Sequence, residues 1–297
     1  MTNRRTTAPG EVVPLFGRAR IENDPEITNR RAVLSIRQPT TPSPISLVDL
    51  SGKPKALFLI GLGGTGKTML ARWLGWRMAE QGRTALIAAL DPQNRTLADW
   101  FTNVAEPETS DMNHTARWAR DVLDHLMVEK ISGLLDFGGG DVSLLKLVDM
   151  APDLVNRMVA DDVEPVACYC LGPRIDDLTP LQSLREAGFR PRSTLLILNE
   201  GRVDSTLSRE EAFARVMRHS DLLGAVGEGA VTIWMPRLEP DVAARIEGKR
   251  LTFGMARDGL VPDGATFDPI GGFERSMVRR WLERMDQAFA PVSSWLP

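Results

Sequence analysis

The sequence predicts a doubly wound α/β fold, in which a mostly parallel β-sheet carries helices on both faces. Six short runs are apolar throughout, and amphipathic stretches of helical length separate them. Runs that are apolar at every position are typical of strands covered on both faces. Strand and helix alternating about six times favour parallel strands with right-handed crossovers. The six runs are residues 56–60, 84–90, 131–135, 165–170, 194–198 and 231–234.

The composition is that of an average soluble protein. The chain has 297 residues, 43% of them hydrophobic and 25% charged, with a formal net charge of −3. These values exclude disorder throughout and allow one sizeable α/β domain or two small ones. No apolar run approaches the roughly 18 residues of a membrane span, and the N-terminus lacks the apolar stretch of a secretory signal. We therefore expect a cytoplasmic protein for which membrane binding is disfavoured.

The first fifty or so residues differ from the rest, because six prolines interrupt a Thr- and Arg-rich stretch without helical or strand period. Such a stretch buries too little apolar surface to offset its ordering entropy. We expect a mobile, disordered N-terminal extension over residues 1–54 and a folded domain over residues 55–297. The extension is locally basic, and it is either a solvated tail or a contact for nucleic acid or a partner.

Several predicted helices have recognisable ends. One runs over residues 67–81 and is closed by Gly82, and another is opened by Ser208 with Glu211 as a capping box. The last helix has apolar residues at steps of four. Such a stripe more often packs on its own domain, and membrane binding or partner docking are the alternatives. The stripe consists of Phe273, Met277, Trp281, Met285 and Phe289.

Directly after the first strand, residues 61–68 fulfil the pattern G-x-x-x-x-G-K-[ST]. Glycines let backbone N–H groups wrap around a phosphate, and the following helix directs its positive N-terminus at it. The lysine reaches the β- and γ-phosphates, and the hydroxyl of the last residue holds Mg²⁺. The pattern predicts a nucleotide site formed by Gly61, Gly63, Gly64, Thr65, Gly66, Lys67 and Thr68, with Lys67 catalytic and Thr68 a metal ligand.

The third apolar run is followed by an acid, Asp136. A carboxylate at the end of a buried strand next to the phosphate loop is where a Walker B residue holds Mg²⁺. We therefore predict that Asp136 is a metal ligand and a catalytic residue. The letters Asp-Phe-Gly at this point also occur in protein kinases, but neither a His-Arg-Asp loop nor a glycine-rich hairpin accompanies them.

The second apolar run ends in Leu-Asp-Pro-Gln, with the aspartate at Asp91. With the phosphate loop and Asp136 in this order, residues 55–250 resemble the ParA/MinD family of P-loop ATPases. The resemblance implies ATP and Mg²⁺ as ligands and an ATP-dependent homodimer. It also implies a catalytic role for Asp91, which in that family lies in the first switch region and positions the attacking water. The alternative is that Asp91 caps the next helix.

Two positions depart from the family pattern. ParA-type loops read Lys-Gly-Gly-x-Gly-Lys-[ST], and their first lysine touches the partner's nucleotide, whereas this chain has Leu62. Members also often carry Asp where this chain has Ala89. An apolar side chain does not neutralise phosphate charge, so either another cation replaces the lysine or dimerisation and hydrolysis are weakened. Distant branches that position cargo or assist plasmid maintenance and conjugation relax these positions.

The identity of the base is suggested by Asn199, which ends the fifth run. GTPases place Asn-Lys-x-Asp there, but Glu200 and Gly201 follow here. In the ParA-like family, an Asn at this strand end and a Pro after the next strand, Pro236 here, flank adenine. The resemblance thus favours ATP over GTP, and the alternative is an Asn that only caps a strand end.

Near the C-terminus lies a basic cluster, with acids interleaved. Family members that ride on the nucleoid bind DNA non-specifically through such residues in a salt-dependent way. Because the net charge is near zero, any such contact must be local. An ordinary solvated face is the alternative. The cluster consists of Arg237, Arg245, Lys249, Arg250 and Arg257.

Together these motifs predict an ATPase switch in the cytoplasm or on the nucleoid. The resemblance implies plasmid or DNA partition, cargo positioning or conjugative DNA transfer, with a ParB-like or relaxase-type partner. Two alternatives stay open. Leu62 is compatible with an ATP-binding adaptor that hydrolyses little, and a related P-loop fold also serves metabolic ligases or kinases of the dethiobiotin-synthetase type.

Overall fold

Six strands form the centre of the fold. The computed structural model describes residues 47–90, 97–138 and 142–297. Its sheet has the order β2-β3-β1-β4-β5-β6, and each neighbouring pair is parallel. The predicted parallel sheet is confirmed. The strands are β1 Lys55–Ile60, β2 Leu86–Ala89, β3 Gly133–Asp136, β4 Glu164–Leu171, β5 Ser193–Asn199 and β6 Val231–Met235.

Helices follow the strands and cover both faces of the sheet, as the sequence predicts. None of the helices in the described ranges is long and apolar enough to cross a membrane. The helices are α1 Lys67–Glu80, α2 Met112–Glu129, α3 Val142–Met150, α4 Leu154–Ala160, α5 Thr179–Glu186, α6 Arg209–Met217, α7 Ser220–Gly227, α8 Pro240–Gly248, α9 Phe253–Asp258 and α10 Gly272–Phe289.

The two faces of β1 contribute to two separate hydrophobic clusters. Ala56, Phe58 and Ile60 pack with the apolar sides of helices α2 to α7. Leu57 and Leu59 point to the opposite face and pack with α1, α8, α9 and α10. All five side chains are fully buried, because successive strand residues alternate between two covered faces. This double burial explains why the strand reads as a continuous apolar run.

The predicted helix ends are confirmed. Helix α1 ends at Glu80, and Gly82 beyond it has a φ of +62°, a left-handed conformation that glycine adopts without strain. Ser208 accepts a hydrogen bond from Glu211 N at 3.2 Å, and Glu211 Oε2 accepts one from Ser208 N at 3.0 Å. This reciprocal pair is a capping box that satisfies two backbone donors at the start of α6.

The apolar stripe of the last helix packs on its own domain only in part. Trp281, Met285 and Phe289 are buried, as expected, but Phe273 and Met277 are 89% and 44% exposed. A helix with 3.6 residues per turn rotates a stripe at steps of four by about 40° per step, so five such residues do not share one face. Val278 and Leu282 supply the buried positions in their place.

The predicted boundary after residue 54 is too late. Leu50 is fully buried, and its backbone N–H donates to Ser294 Oγ at 3.3 Å. Trp295 Nε1 donates to Val48 O at 2.7 Å. Residues 47–54 therefore belong to the folded domain, because its C-terminal segment packs on them. The rest of the predicted extension, residues 1–46, lies outside the described residues.

A buried carboxylate lies at the amino end of the sheet, opposite the phosphate loop. Glu164 begins β4, and its side chain is 1% exposed. Its Oε1 accepts hydrogen bonds from Lys53 Nζ at 2.7 Å and Arg192 Nη2 at 2.9 Å. Burial raises the pKa of Glu164, but the hydrogen bonds and the positive charges of Lys53 and Arg192 together lower it by more, so the pKa lies below its ordinary 4.5.

We expect Glu164→Gln to lower the free energy of unfolding at pH 7 by roughly 1–2 kcal/mol, because charge-assisted hydrogen bonds become neutral ones. A carboxyl whose pKa is lowered by folding stabilises above its unfolded pKa, and this stability is lost as the pH falls through the folded value. The free energies of unfolding of wild type and variant, measured with urea, should therefore approach each other as the pH falls below 4.5 and become equal below the lowered pKa of folded Glu164. A pH-independent difference would contradict this, and Glu186→Gln, at an exposed site, is the control.

Candidate nucleotide-binding site

The phosphate loop leaves the carboxyl end of β1, the strand between β3 and β4. At Gly61, φ is +147° and a Cβ atom would lie 2.5 Å from Cys170 O and 2.8 Å from Thr65 Oγ1. Only glycine fits there, because the loop passes directly against the backbone of β4. This contact fixes the first residue of the loop against the sheet.

Gly66 is enclosed from the opposite side. Its φ is +107°, and a Cβ atom would collide with Asn199 Nδ2 and lie 2.9 Å from Met235 Cε. In contrast, a Cβ atom on Gly63 would meet nothing within 4 Å. The inner side of the loop is thus packed against the ends of β5 and β6, while its outer side is open to a ligand.

Asn199 connects β5 to the phosphate loop. Its side chain is 7% exposed, its Nδ2 donates to Thr65 O at 2.8 Å, and its Oδ1 accepts from Gly201 N at 2.8 Å. The second bond is the strand-end cap that the sequence left as the alternative. The first is a link that the sequence did not predict. A contact between Asn199 and adenine stays a prediction.

Lys67 points back into the curve of the loop. Its Nζ donates to Gly61 O at 2.6 Å and lies 3.4 Å from Leu62 O. Thr65 Oγ1 donates to the same Leu62 carbonyl at 2.8 Å. The ammonium group is therefore held where phosphate oxygens would be its natural acceptors. The loop has the donors, the opening and the central cation that a nucleotide phosphate requires.

Asp136 and Thr68 are suited to Mg²⁺. Asp136 ends β3 beside Leu59 of β1 and is 5% exposed, and Thr68 lies in the first turn of α1. A carboxylate and a hydroxyl are the oxygen ligands that Mg²⁺ takes together with water and phosphate. Across the described ranges, no group of three or more His, Cys, Asp or Glu side chains is arranged to hold a metal. The nucleotide itself would have to complete this site.

Of two other predicted site residues, the structure describes Pro236 but not Asp91. Asp91 lies outside the described residues, although Leu90 before it donates its N–H to Asp136 O at 2.8 Å. Pro236 is buried after β6, next to Met235, and its carbonyl accepts from Trp281 Nε1 at 2.9 Å. Pro236 thus lies on the Asn199 side of the loop. Its contact with a base stays a prediction.

Arg202 is a candidate site residue that sequence reasoning missed. A Cβ atom on Gly64 would lie 3.9 Å from Arg202 Cζ and Nη2, so the guanidinium lies over the phosphate loop. It borders a small cavity of about 100 Å³ that Gly63 and Arg174 also line. Arg174 is paired with the buried Asp177 at 3.1 Å. Arg202 follows the strand-end Asn199 by three residues, a spacing that matches no familiar motif.

The C-terminal basic cluster is largely neutralised by the protein itself. Arg245 pairs with Glu274, and Arg257 pairs with Glu80 at 2.9 Å and with Asp258 at 2.7 Å. Arg250 lies 3.8 Å from Asp99, and Lys249 donates to Asp268 O. Surface pairs of this kind reduce the field that a polyanion would meet. DNA binding by this cluster stays a prediction.

No protein-family model matches the chain, and no curated protein does. Among solved structures, the signal recognition particle receptor FtsY from Elizabethkingia anophelis in complex with GDP is 12% identical, with a TM-score of 0.41, over 64% of this chain and 59% of that chain. Chloroplast FtsY from Physcomitrella patens is 14% identical, with a TM-score of 0.40, over 79% and 67% of the two chains.

The class of the protein follows from its own sheet and loop. A parallel six-stranded sheet with a phosphate loop between a central strand and the first helix is the fold of a P-loop NTPase. The chain spans 59% of the length of the first FtsY structure. The finer resemblance to ParA and MinD is not shown by these comparisons and stays a prediction.

We expect Gly66→Ala to lower the free energy of unfolding of the nucleotide-free protein by about 1–3 kcal/mol, because alanine at a φ of +107° is strained and its methyl group collides with Asn199. Gly63→Ala, whose methyl group meets open space, should lower the free energy of unfolding much less. Urea unfolding of both variants makes the comparison. Equal losses would show that the loop is not packed as described.

Proposed function

We propose that this protein is an ATP-binding and hydrolysing switch of the ParA/MinD type. The observation that carries the proposal is the phosphate loop itself, fixed against β4 and Asn199 with Lys67 Nζ 2.6 Å from Gly61 O inside its curve. A fold of this class has the potential to hydrolyse nucleotides. The order of the three motifs in the sequence then favours this type among P-loop proteins.

The residues of the phosphate loop receive their roles from chemistry and position, and Asp91 receives its role from the resemblance to ParA and MinD. Lys67 stabilises charge on the transferred phosphoryl group, and Asp91, as in that family, orients the attacking water. Thr68 and Asp136 would hold Mg²⁺, and the metal would help to neutralise charge that develops on the nucleotide phosphates. Loop N–H groups from Gly63 onward bind the phosphates, and the dipole of α1 favours the same negative charge.

The residues directly after Asn199 favour ATP over GTP. A guanine base is read by an aspartate that accepts from its amino group, and the Asn-Lys-x-Asp sequence that supplies it is absent from the end of β5. Asn199 and Pro236 lie on the same side of the phosphate loop, where a base flanked by both would lie.

Arg202 is the cation that we assign to the place of the missing signature lysine. Leu62 has no charge to offer a phosphate, whereas the Arg202 guanidinium lies over Gly64 within the same chain. Arginine recognises phosphate through paired N–H donors and keeps its charge at any physiological pH. Nucleotide binding would then require no lysine from a partner subunit.

The biological role is the part of the proposal that depends most on resemblance. A ParA/MinD-type switch dimerises on ATP and resets on hydrolysis, and this chain would serve plasmid or DNA partition, cargo positioning or conjugative transfer. Its partners would be DNA and a ParB-like or relaxase-type protein. Because most of the basic cluster is paired internally, DNA contact would have to recruit other cations or rearrange these pairs.

We expect the wild type to bind ATP at least tenfold more tightly than GTP and to hydrolyse it, with any DNA partner acting as a stimulator. Lys67→Ala should lose nucleotide binding, because the central cation is gone. Asp91→Ala should bind ATP but turn it over at least tenfold more slowly. Phosphate release with and without DNA measures turnover, and titration with a fluorescent ATP analogue measures binding.

Negligible release by wild type and Asp91→Ala, each with and without DNA, would overturn the ATPase cycle. Tight ATP binding without release would indicate an adaptor. Phosphate release that requires a small molecule instead of DNA would indicate a metabolic ligase or kinase.

Light scattering measures the oligomeric state. Asp91→Ala should be trapped as a dimer by ATP, and a monomer at saturating ATP would contradict the proposed cycle.

We expect Arg202→Ala to weaken ATP binding about tenfold, the loss expected for one charge-assisted contact to phosphate. Arg218→Ala, which removes an exposed arginine at the end of α6, is the matched control and should leave affinity unchanged. Affinity is measured by the same titration. If wild type binds ATP and Arg202→Ala binds equally well, the role of Arg202 is wrong while the ATPase proposal stands.

A further inference from the structure

A second cavity lies away from the nucleotide site. It has a volume of about 270 Å³ and is formed by the outer side of α1, the segment that includes Trp100, and α9. It shares no lining residue with the phosphate loop. Most of its walls are aromatic or small, which suits a flat apolar ligand, and Glu80 and Thr252 add polar groups. The aromatic and small residues are Gly75, Trp76, Ala79, Trp100, Phe101, Phe253 and Gly254.

A buried arginine also lines this cavity, which we name the Arg72 cavity. Arg72 is 8% exposed. Its Cζ lies 3.4 Å from the ring centroid of Trp100 and 4.8 Å from that of Phe253. The guanidinium therefore makes cation–π contacts with both rings, and its N–H groups are the donors that a hydrogen-bonding partner would use.

The described residues give the Arg72 guanidinium two aromatic contacts and one hydrogen bond, but no ion pair. Among the described residues, its hydrogen bonding is limited to Nη2, which donates to Leu251 O at 3.3 Å, and no carboxylate lies within 4 Å. Glu80 at the cavity is instead paired with Arg257 at 2.9 Å. Burial lowers the pKa of Arg72 to about 10, with Glu247 opposing the shift, so the group is still charged at neutral pH.

Among the described residues, Leu251 O is the one hydrogen-bond acceptor that the Arg72 guanidinium has, although it carries five N–H donors. The five N–H donors of a guanidinium match the two oxygens of a carboxylate or sulfonate. We propose that the Arg72 cavity binds a small organic anion, with its acidic group on the N–H edge of Arg72 and a flat apolar body against Trp76 and Phe101. The site is independent of the proposed nucleotide site.

The test uses two probes that share an aromatic body and differ in charge. 8-Anilinonaphthalene-1-sulfonate is the anion, and N-phenyl-1-naphthylamine is its neutral analogue. Wild type should bind the anion saturably at one site and at least tenfold more tightly than the neutral probe. Energy transfer from tryptophan to the bound probe should accompany binding, because Trp76 and Trp100 line the cavity. Saturating ATP and Mg²⁺ should displace neither probe.

Two variants locate the site. Arg72→Met should weaken binding of the anion at least tenfold and binding of the neutral probe less than twofold. Ala79→Trp, at the cavity wall, should weaken binding of both probes. Arg117→Met, at an exposed site on α2, is the control. Near-ultraviolet circular dichroism must match wild type, since loosely folded states also bind such dyes. Displacement of the anion by ATP, or binding that ignores Arg72→Met, would overturn the proposal.

Wild type alone gives a second test that does not require Arg72→Met to fold. 1-Naphthoate should displace the neutral probe at a concentration at least tenfold lower than 1-naphthalenemethanol, because the two competitors differ in the acidic group. Equal potency of the two competitors, or no saturable binding of any probe, would overturn the proposal.

Discussion

The site depends on one constraint, which is that the phosphate loop is held from two sides. Gly61 passes against Cys170 O of β4, and Asn199 of β5 donates to Thr65 O at 2.8 Å. Backbone N–H groups bind phosphate well only when they converge before the ligand arrives. A loop of four glycines would otherwise lose much conformational entropy on binding. Because the Asn199 bond and the packed glycines order the loop in the nucleotide-free protein, this conformational entropy is lost on folding and not on binding.

The order of the strands explains how the remaining site residues meet. With β1 between β3 and β4, the loop after β1 has Asp136 on one side and the loop after β4 on the other. Asn199 and Pro236 then follow from the next two strands of the same parallel sheet. The carboxyl ends of all six strands share one edge, so residues far apart in sequence form one site. Glu164, at the opposite edge, contributes to stability instead.

Much of this was predictable where the signal is local, such as the strands, the phosphate loop, Asp136 and the Ser208 cap. Prediction failed where distant segments meet. Leu50 looked like part of a polar extension, because its partner Ser294 lies 244 positions away. Arg202 and Arg72 belong to no sequence motif. The end of β5 positions Arg202 over the phosphate loop, and contacts with Trp100 and Phe253 position Arg72. Such contacts form between segments that are far apart in the sequence. The hydrophobic periodicity of one segment does not show which distant segment packs on it.

The most direct test of the preformed loop is amide hydrogen exchange over residues 61–70 in the nucleotide-free protein, measured for wild type and Asn199→Asp. Aspartate keeps an acceptor for Gly201 N but has no donor for Thr65 O. We expect exchange in this segment to be at least tenfold faster in the variant, with unchanged exchange in β3 and α2. Equal rates in the two proteins would contradict a loop that Asn199 holds in place.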